Sequence, residues 1–302
     1  MMDILDGLQK LVGNRVRLRE PLSKHTSLRI GGPANYFLEL RNIEELTNVI
    51  EFSQKENLDS FVLGEGTNVL FSDKGFSGLV IQLKGDFEKF SIEGNQVTVG
   101  VGVKLNNLVE KLAKRGLAGL EFASGIPGSI GGAIVTNAGT KMGWIGDVVR
   151  EIKIFSDGKV KILTKEEIDF SYRHCELPDR AIILEVRLGL KNGKKSDIIN
   201  KIKKSLKERK KNQPVSTLNA GCVFRNPERG EAGKLIETAG LKGARFGDAE
   251  VSRKHANFIV NCGKAKAKDV YNLIEKIRKT VKEKFDVDLE LELEMVGKEM
   301  KG

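Results

Sequence analysis

The chain has 302 residues, 40% hydrophobic and 30% charged, which exceeds one compact core and excludes both disorder and a peptide-scale scaffold. Its three cysteines, Cys175, Cys222 and Cys262, are odd in number and lack CxxC spacing, arguing against a disulfide framework or zinc cluster and for a reducing cytoplasm. The formal net charge of +10, concentrated in KIKKSLKERKK at 201–211, leaves nucleic-acid binding open. Against that, Ile198, Ile199, Ile202 and Leu206 are spaced as the inner stripe of an amphipathic helix, no aromatic residues interleave, and the same charge suits a small polyanionic ligand.

In chain order, an amphipathic helix opens the sequence without a signal-peptide pattern, and no apolar stretch approaches bilayer length. LRIGGPANYFLEL predicts a turn at Gly31, Gly32 and Pro33 and then a strand. Asn42 caps a helix through IEELTNVIEFSQKEN. FVLG at 61–64, GLVIQL and QVTVGVG read as strands, and LNNLVEKLAKRG as a helix closed by Gly116. Residues 119–146 read as a glycine-dense loop, followed by a hairpin turning at Asp157-Gly158 and the strand AIILEVRLGL. Beyond Lys191 come a helix, NAGCVFRN as a strand, a helix from about Ala232, the strand ANFIVNCG, the long helix DVYNLIEKIRKTVKEKF and the alternating DLELELEMVG as a half-exposed strand. The fold class is α+β, with segments 1–84, 85–192 and 193–302.

Two glycine-rich stretches carry the chemical signal. GLEFASGIPGSIGGAIVTNAG, residues 119–139, holds six glycines among small and apolar neighbours, a texture suited to backbone N–H groups approaching a diphosphate. LGEGTNVL places Gly64, Gly66, Thr67 and Asn68 after a strand. It is not GxGxxG and no acidic ribose partner stands at the expected spacing, so a doubly wound nicotinamide domain is disfavoured. The histidines His25, His174 and His255 show no metal-ligand spacing, and no metal is expected.

LGEGTNVL, GIPGSIGGAIVTNAG, SYRHCELP, NAGCVFRNP, AGKLIETAGLKG and VSRKHANFIVN, in that order from about Lys24 to Gly297, resemble the successive motifs of the UDP-N-acetylenolpyruvoylglucosamine reductase family, in its shorter, type II form. The resemblance implies a two-lobed FAD-binding unit of the vanillyl-alcohol oxidase (PCMH) type followed by an α+β substrate-binding domain. It implies non-covalent FAD, held by Arg29, Gly64, Gly66, Thr67, Asn68 and by Gly125, Ile126, Pro127, Gly128, Ser129, Gly132, Asn137, Ala138 and Gly139. NADPH would be the hydride source. A UDP-linked amino-sugar enolpyruvate would be the substrate, contacted by Tyr172, Arg225, Asn226 and Lys234, with neither nucleic acid nor membrane as partner.

The reaction so implied sends hydride from flavin N5 to C3 of an enol ether and drives negative charge toward C2 and its carboxylate. The resemblance assigns Arg173 to that carboxylate and Glu292 to a proton-bearing partner, although Glu290 and Glu294 share its strand face and the residues alone do not choose among the three. Cys222 stands where many family members carry a serine that protonates C2. A thiol, with ordinary pKa about 8.5, is a stronger acid than a hydroxyl; read without the resemblance, Cys222 is equally a small buried hydrophobe. A different flavin oxidoreductase on the same fold, or a basic nucleic-acid-binding protein, are the other readings.

Overall fold

The computed structural model describes residues 4–297. Two hydrophobic cores organise them into two compact units, one made of residues 4–17, Tyr36–Glu65 and Leu79–Glu208, the other of Leu18–Asn35, Gly66–Gly78 and residues 209–297. Among the described residues no helix is long and apolar enough to cross a membrane.

The first unit is built around a five-stranded antiparallel sheet in the order Lys159–Thr164, Val149–Ser156, Ile182–Gly189, Gln96–Gly100, Phe90–Glu93. Alternation makes this sheet: Ile152, Ile154, Val186, Leu188, Val97 and Val99 all point inward and are buried. The hairpin turns where the sequence requires it, with Asp157 (φ 52°) and Gly158 (φ 71°) both left-handed. The helix Leu105–Lys114 covers the core with Leu105, Leu108, Val109 and Leu112, each apolar side chain of this size contributing roughly 1.5–3 kcal/mol by burial. Asn42 caps the helix Ile43–Lys55 by accepting from the Glu45 N–H at 2.9 Å.

In the second unit the sheet order is Leu218–Asn219, Ile259–Asn261, Ala249–Val251, Arg245–Phe246, and the helix Ala267–Phe285 buries Val270, Leu273, Ile274, Ile277 and Val281 within this unit's core. The Asp73 carboxylate accepts from the Ala267 and Lys268 N–H groups at 2.8 and 3.1 Å, neutralising the start of that helix. Glu294–Val296 pairs in parallel with Val69–Phe71.

Several elements differ from expectation. Residues 119–146 are not one loop: they include the helices Ile130–Val135, capped by Ser129, and Ile145–Val148. Tertiary pairing overrides the poor helix propensity of glycine there. The strand Phe90–Glu93 joins the sheet edge unannounced. DLELELEMVG alternates in burial, but only Glu294–Val296 is a strand, because its earlier residues meet a single bridge, Phe224 with Leu291. NAGCVFRN is likewise not a continuous strand, since it kinks at Gly221 (φ 80°). In the helix Lys195–Asn212, Ile198 is buried as expected, but Leu206 is exposed and Ser205 takes the buried position.

Candidate active site

In the first unit the Tyr172-Arg173 turn joins the short strands Phe170–Ser171 and His174–Cys175. Arg173 occupies the left-handed region (φ 57°), a conformation that costs a non-glycine residue roughly 1–3 kcal/mol and collects at functional positions. Its guanidinium donates a hydrogen bond to the Gly139 carbonyl at 3.2 Å and lies 5.2 Å from the Trp144 ring centre and 5.7 Å from that of Tyr172. Trp144 and Tyr172 meet edge to face at 5.7 Å. A guanidinium is a planar cation whose fork of donors fits a carboxylate.

The glycine-rich segment is tied to the same turn. Buried Asn137 donates to the Ser171 carbonyl at 2.8 Å and accepts from the Gly146 N–H at 3.1 Å. Most of the segment's own N–H groups are taken up by acceptors within it or elsewhere in the chain. Gly125 donates to Asn106 Oδ1 at 2.7 Å, Ile130 and Gly131 to the Val103 and Val101 carbonyls at 2.9 Å each, and Gly132 to Ser129 Oγ at 3.3 Å. The N–H groups of Gly128 and Ser129 donate to no other group among the described residues. Two adjacent donors at a helix start, with side-chain-free Gly64 facing Ser129, fit a diphosphate oxygen of a dinucleotide. Glu65 follows, its carboxylate 3.2 Å from Lys104 Nζ and 3.8 Å from Lys84 Nζ.

In the second unit Gly66 is left-handed (φ 62°), and a side chain there would run into the His25 carbonyl. Asn68 donates its side-chain amide to the Glu292 carbonyl at 2.9 Å and accepts the Glu294 N–H at 3.1 Å. It thereby fixes the Glu292 backbone. Glu292 and Leu293 both donate to the Val223 carbonyl, at 2.9 and 3.2 Å, so the segment carrying Glu292 runs beside the residue that follows Cys222. Glu290 is drawn off differently, its carboxylate 4.0 Å from the Arg225 guanidinium and its carbonyl accepting the Arg225 N–H at 2.9 Å. Cys222 is partly accessible.

Of the sequence-derived site residues, Gly64, Gly125, Ile126, Pro127, Gly128, Ser129, Gly132, Asn137, Ala138, Gly139, Tyr172 and Arg173 lie in the first unit. Arg29, Gly66, Thr67, Asn68, Cys222, Arg225, Asn226, Lys234 and Glu292 lie in the second. Arg29 is left-handed (φ 57°) and donates to the Lys24 carbonyl at 3.1 Å. The Asn226 side-chain oxygen accepts the Ala232 N–H at 3.0 Å, at the start of the helix Ala232–Thr238 that carries exposed Lys234. Beside that helix, burial holds His255 below its ordinary pKa, with Lys242 acting in the same direction. Sequence reasoning passed over Trp144, Asn106 and Asn257. The only tryptophan of the chain, set in a glycine-dense region, was a signal for the first, and no local pattern marks the other two.

Residues 34–164 match the family described as an FAD binding domain. A variant of berberine bridge enzyme described as a reticuline dehydrogenase shares the fold over 64% of this chain and 44% of that one, with TM-score 0.50 and 16% identity. The protein is an FAD-dependent oxidoreductase with an α+β fold whose flavin-binding unit is of the vanillyl-alcohol oxidase (PCMH) type. Residues 213–296 match the C-terminal domain of UDP-N-acetylenolpyruvoylglucosamine reductase. The chain is 44% identical to UDP-N-acetylenolpyruvoylglucosamine reductase 2 of Symbiobacterium thermophilum over 94% of this chain and 92% of that one. The crystal structure of UDP-N-acetylenolpyruvylglucosamine reductase from Thermus caldophilus superimposes with TM-score 0.83 at 40% identity, covering 94% of this chain and 99% of that one. The chain belongs to the UDP-N-acetylenolpyruvoylglucosamine reductase family.

Proposed function

We propose that this protein reduces UDP-N-acetylglucosamine enolpyruvate to UDP-N-acetylmuramate in peptidoglycan precursor synthesis, using NADPH and non-covalently bound FAD, in the cytoplasm. Its partners are these small molecules, with neither nucleic acid nor membrane among them. The observation that carries the reading, beyond family membership, is that Val223, next to Cys222, accepts two backbone hydrogen bonds from the Glu292 segment, which brings together two stretches distant in sequence, one bearing a thiol and the other a carboxylate.

FAD, when bound, would supply the hydride chemistry that links NADPH to the enol ether. The protein's share is positioning and proton supply. Gly128 and Ser129 N–H groups would hold a diphosphate oxygen of that FAD, aided by Gly64, Gly66, Thr67, Asn68 and the Gly125–Gly139 segment, within functional segments 1–84 and 85–192. Arg173, fixed by Trp144 and Tyr172, takes the substrate carboxylate as charge builds on it, an electrostatic role in which a pre-aimed donor needs no reorganisation. Glu292 is the hydrogen-bonding partner of that carboxylate, and the Cys222 Sγ–H delivers the proton to C2. Tyr172, Arg225, Asn226 and Lys234 bind the nucleotide sugar, the last three within segment 193–302.

Anaerobic flavin absorbance tests this. NADPH is expected to bleach the yellow enzyme and the enolpyruvyl nucleotide to restore it. In Cys222→Ala bleaching persists while recovery slows by about 10²- to 10⁴-fold, the usual worth of a general acid; Cys222→Ser keeps substantial turnover. Normal recovery in the alanine variant would return Cys222 to a packing role.

A further inference from the structure

Asn257 is 3% exposed, and its side chain spans one residue of the neighbouring segment. Oδ1 accepts the Phe224 N–H at 2.9 Å and Nδ2 donates to the Phe224 carbonyl at 2.8 Å, while its own carbonyl accepts the Val223 N–H at 2.9 Å. Asn257 is held in turn, its N–H donating to His255 Nδ1 at 3.3 Å. The two residues that follow Cys222 are thus gripped on one side by Asn257 and on the other by Glu292, Leu293 and the Phe224–Leu291 bridge.

The kinked segment after Gly221 forms no ladder of its own, so its N–H and C=O groups would be buried and unpaired without a partner. A primary amide presents a donor and an acceptor side by side and can satisfy both backbone groups of one residue as a strand neighbour would. Leucine is near its size but can do neither. Aspartate can accept only, unless protonated.

We propose that Asn257 is the positioning residue that sets where the Cys222 thiol stands. The inference rests on Cys222 being the proton donor. A shift of about 1 Å in a reacting group costs on the order of 10²-fold in rate.

The test uses the FAD-loaded, full-length enzyme and stopped-flow measurement of each half-reaction. In Asn257→Leu, reduction of FAD by NADPH is expected within about twofold of wild type, while reoxidation by the enolpyruvyl nucleotide falls by about 10- to 100-fold. Asn257→Asp, which keeps the shape and the acceptor for the Phe224 N–H, lies between and serves if the leucine variant fails to hold FAD. In a Cys222→Ala background neither change slows reoxidation further. Wild-type reoxidation in both Asn257 variants, equal loss in both half-reactions, or an undiminished loss in the Cys222→Ala background would overturn the proposal. A Cys222→Ala enzyme with wild-type reoxidation would overturn the donor assignment itself, and the inference with it.

Discussion

Gly64 lies against Ser129, and replacing it with alanine tests how finely the flavin cradle is built. A Cβ there would stand 2.7 Å from Ser129 Oγ, well inside ordinary contact. The backbone at Gly64 is not left-handed, so alanine alone would favour folding by about 0.4–1 kcal/mol through the unfolded chain. Opposing this, Ser129 is 4% exposed and its hydroxyl cannot swing into water. Overpacking of this kind costs about 1–3 kcal/mol. Displacing Oγ from the Gly132 N–H forfeits a helix cap worth about 1 kcal/mol. The net expectation for Gly64→Ala is about 1–3 kcal/mol of destabilisation, each kcal/mol lowering the melting midpoint by about 2–4 °C. Because the Gly128 and Ser129 donors adjoin the displaced hydroxyl, FAD affinity should fall about tenfold, or about 1.4 kcal/mol. Titration of apo-protein with FAD, followed by flavin fluorescence, reads the affinity. Ser129→Gly removes the obstacle, so adding Gly64→Ala in that background should change affinity by less than about 0.5 kcal/mol. An unchanged midpoint and affinity in Gly64→Ala, or an undiminished loss in the double variant, would refute the reasoning.

Two further outcomes follow from burial. Desolvation pushes the Cys175 thiol up to about 12, so native protein treated with iodoacetamide at about pH 8 should be alkylated at exposed Cys262 and spared at Cys175; mass mapping that finds both modified at equal rates contradicts the packing. His255 is held below its ordinary value by burial first and by Lys242 next, so the unfolded chain takes the proton more readily. Its contribution to stability is present above about pH 6.5 and is lost as pH falls through that value toward the lower folded pKa. Protonation would also remove the Nδ1 acceptor from the Asn257 N–H. Urea midpoints at pH 8 and pH 5 should therefore drop more for wild type than for His255→Gln, and parallel drops would count against this assignment.

Local chemistry alone determined much of this protein. Asn42 announces its helix, Asp157-Gly158 its hairpin, alternation the central sheet strands, and the ordered motifs the family and its flavin. Each signal is written within a few residues, where φ/ψ preference and side-chain period act. The glycine-rich segment was legible as unusual, but which N–H groups it leaves over was not, because Asn106, Val101 and Val103 consume the others from elsewhere in the chain. Glu290, Glu292 and Glu294 look alike in sequence. Only folding pairs the first with Arg225, sets the second beside Val223 and places the third against Val69. Asn257 and Trp144 likewise act through partners distant in sequence, Phe224 and Arg173. Such pairings depend on shape and hydrogen-bond satisfaction across closed loops, so they leave no periodic trace, and only the tertiary structure decided them.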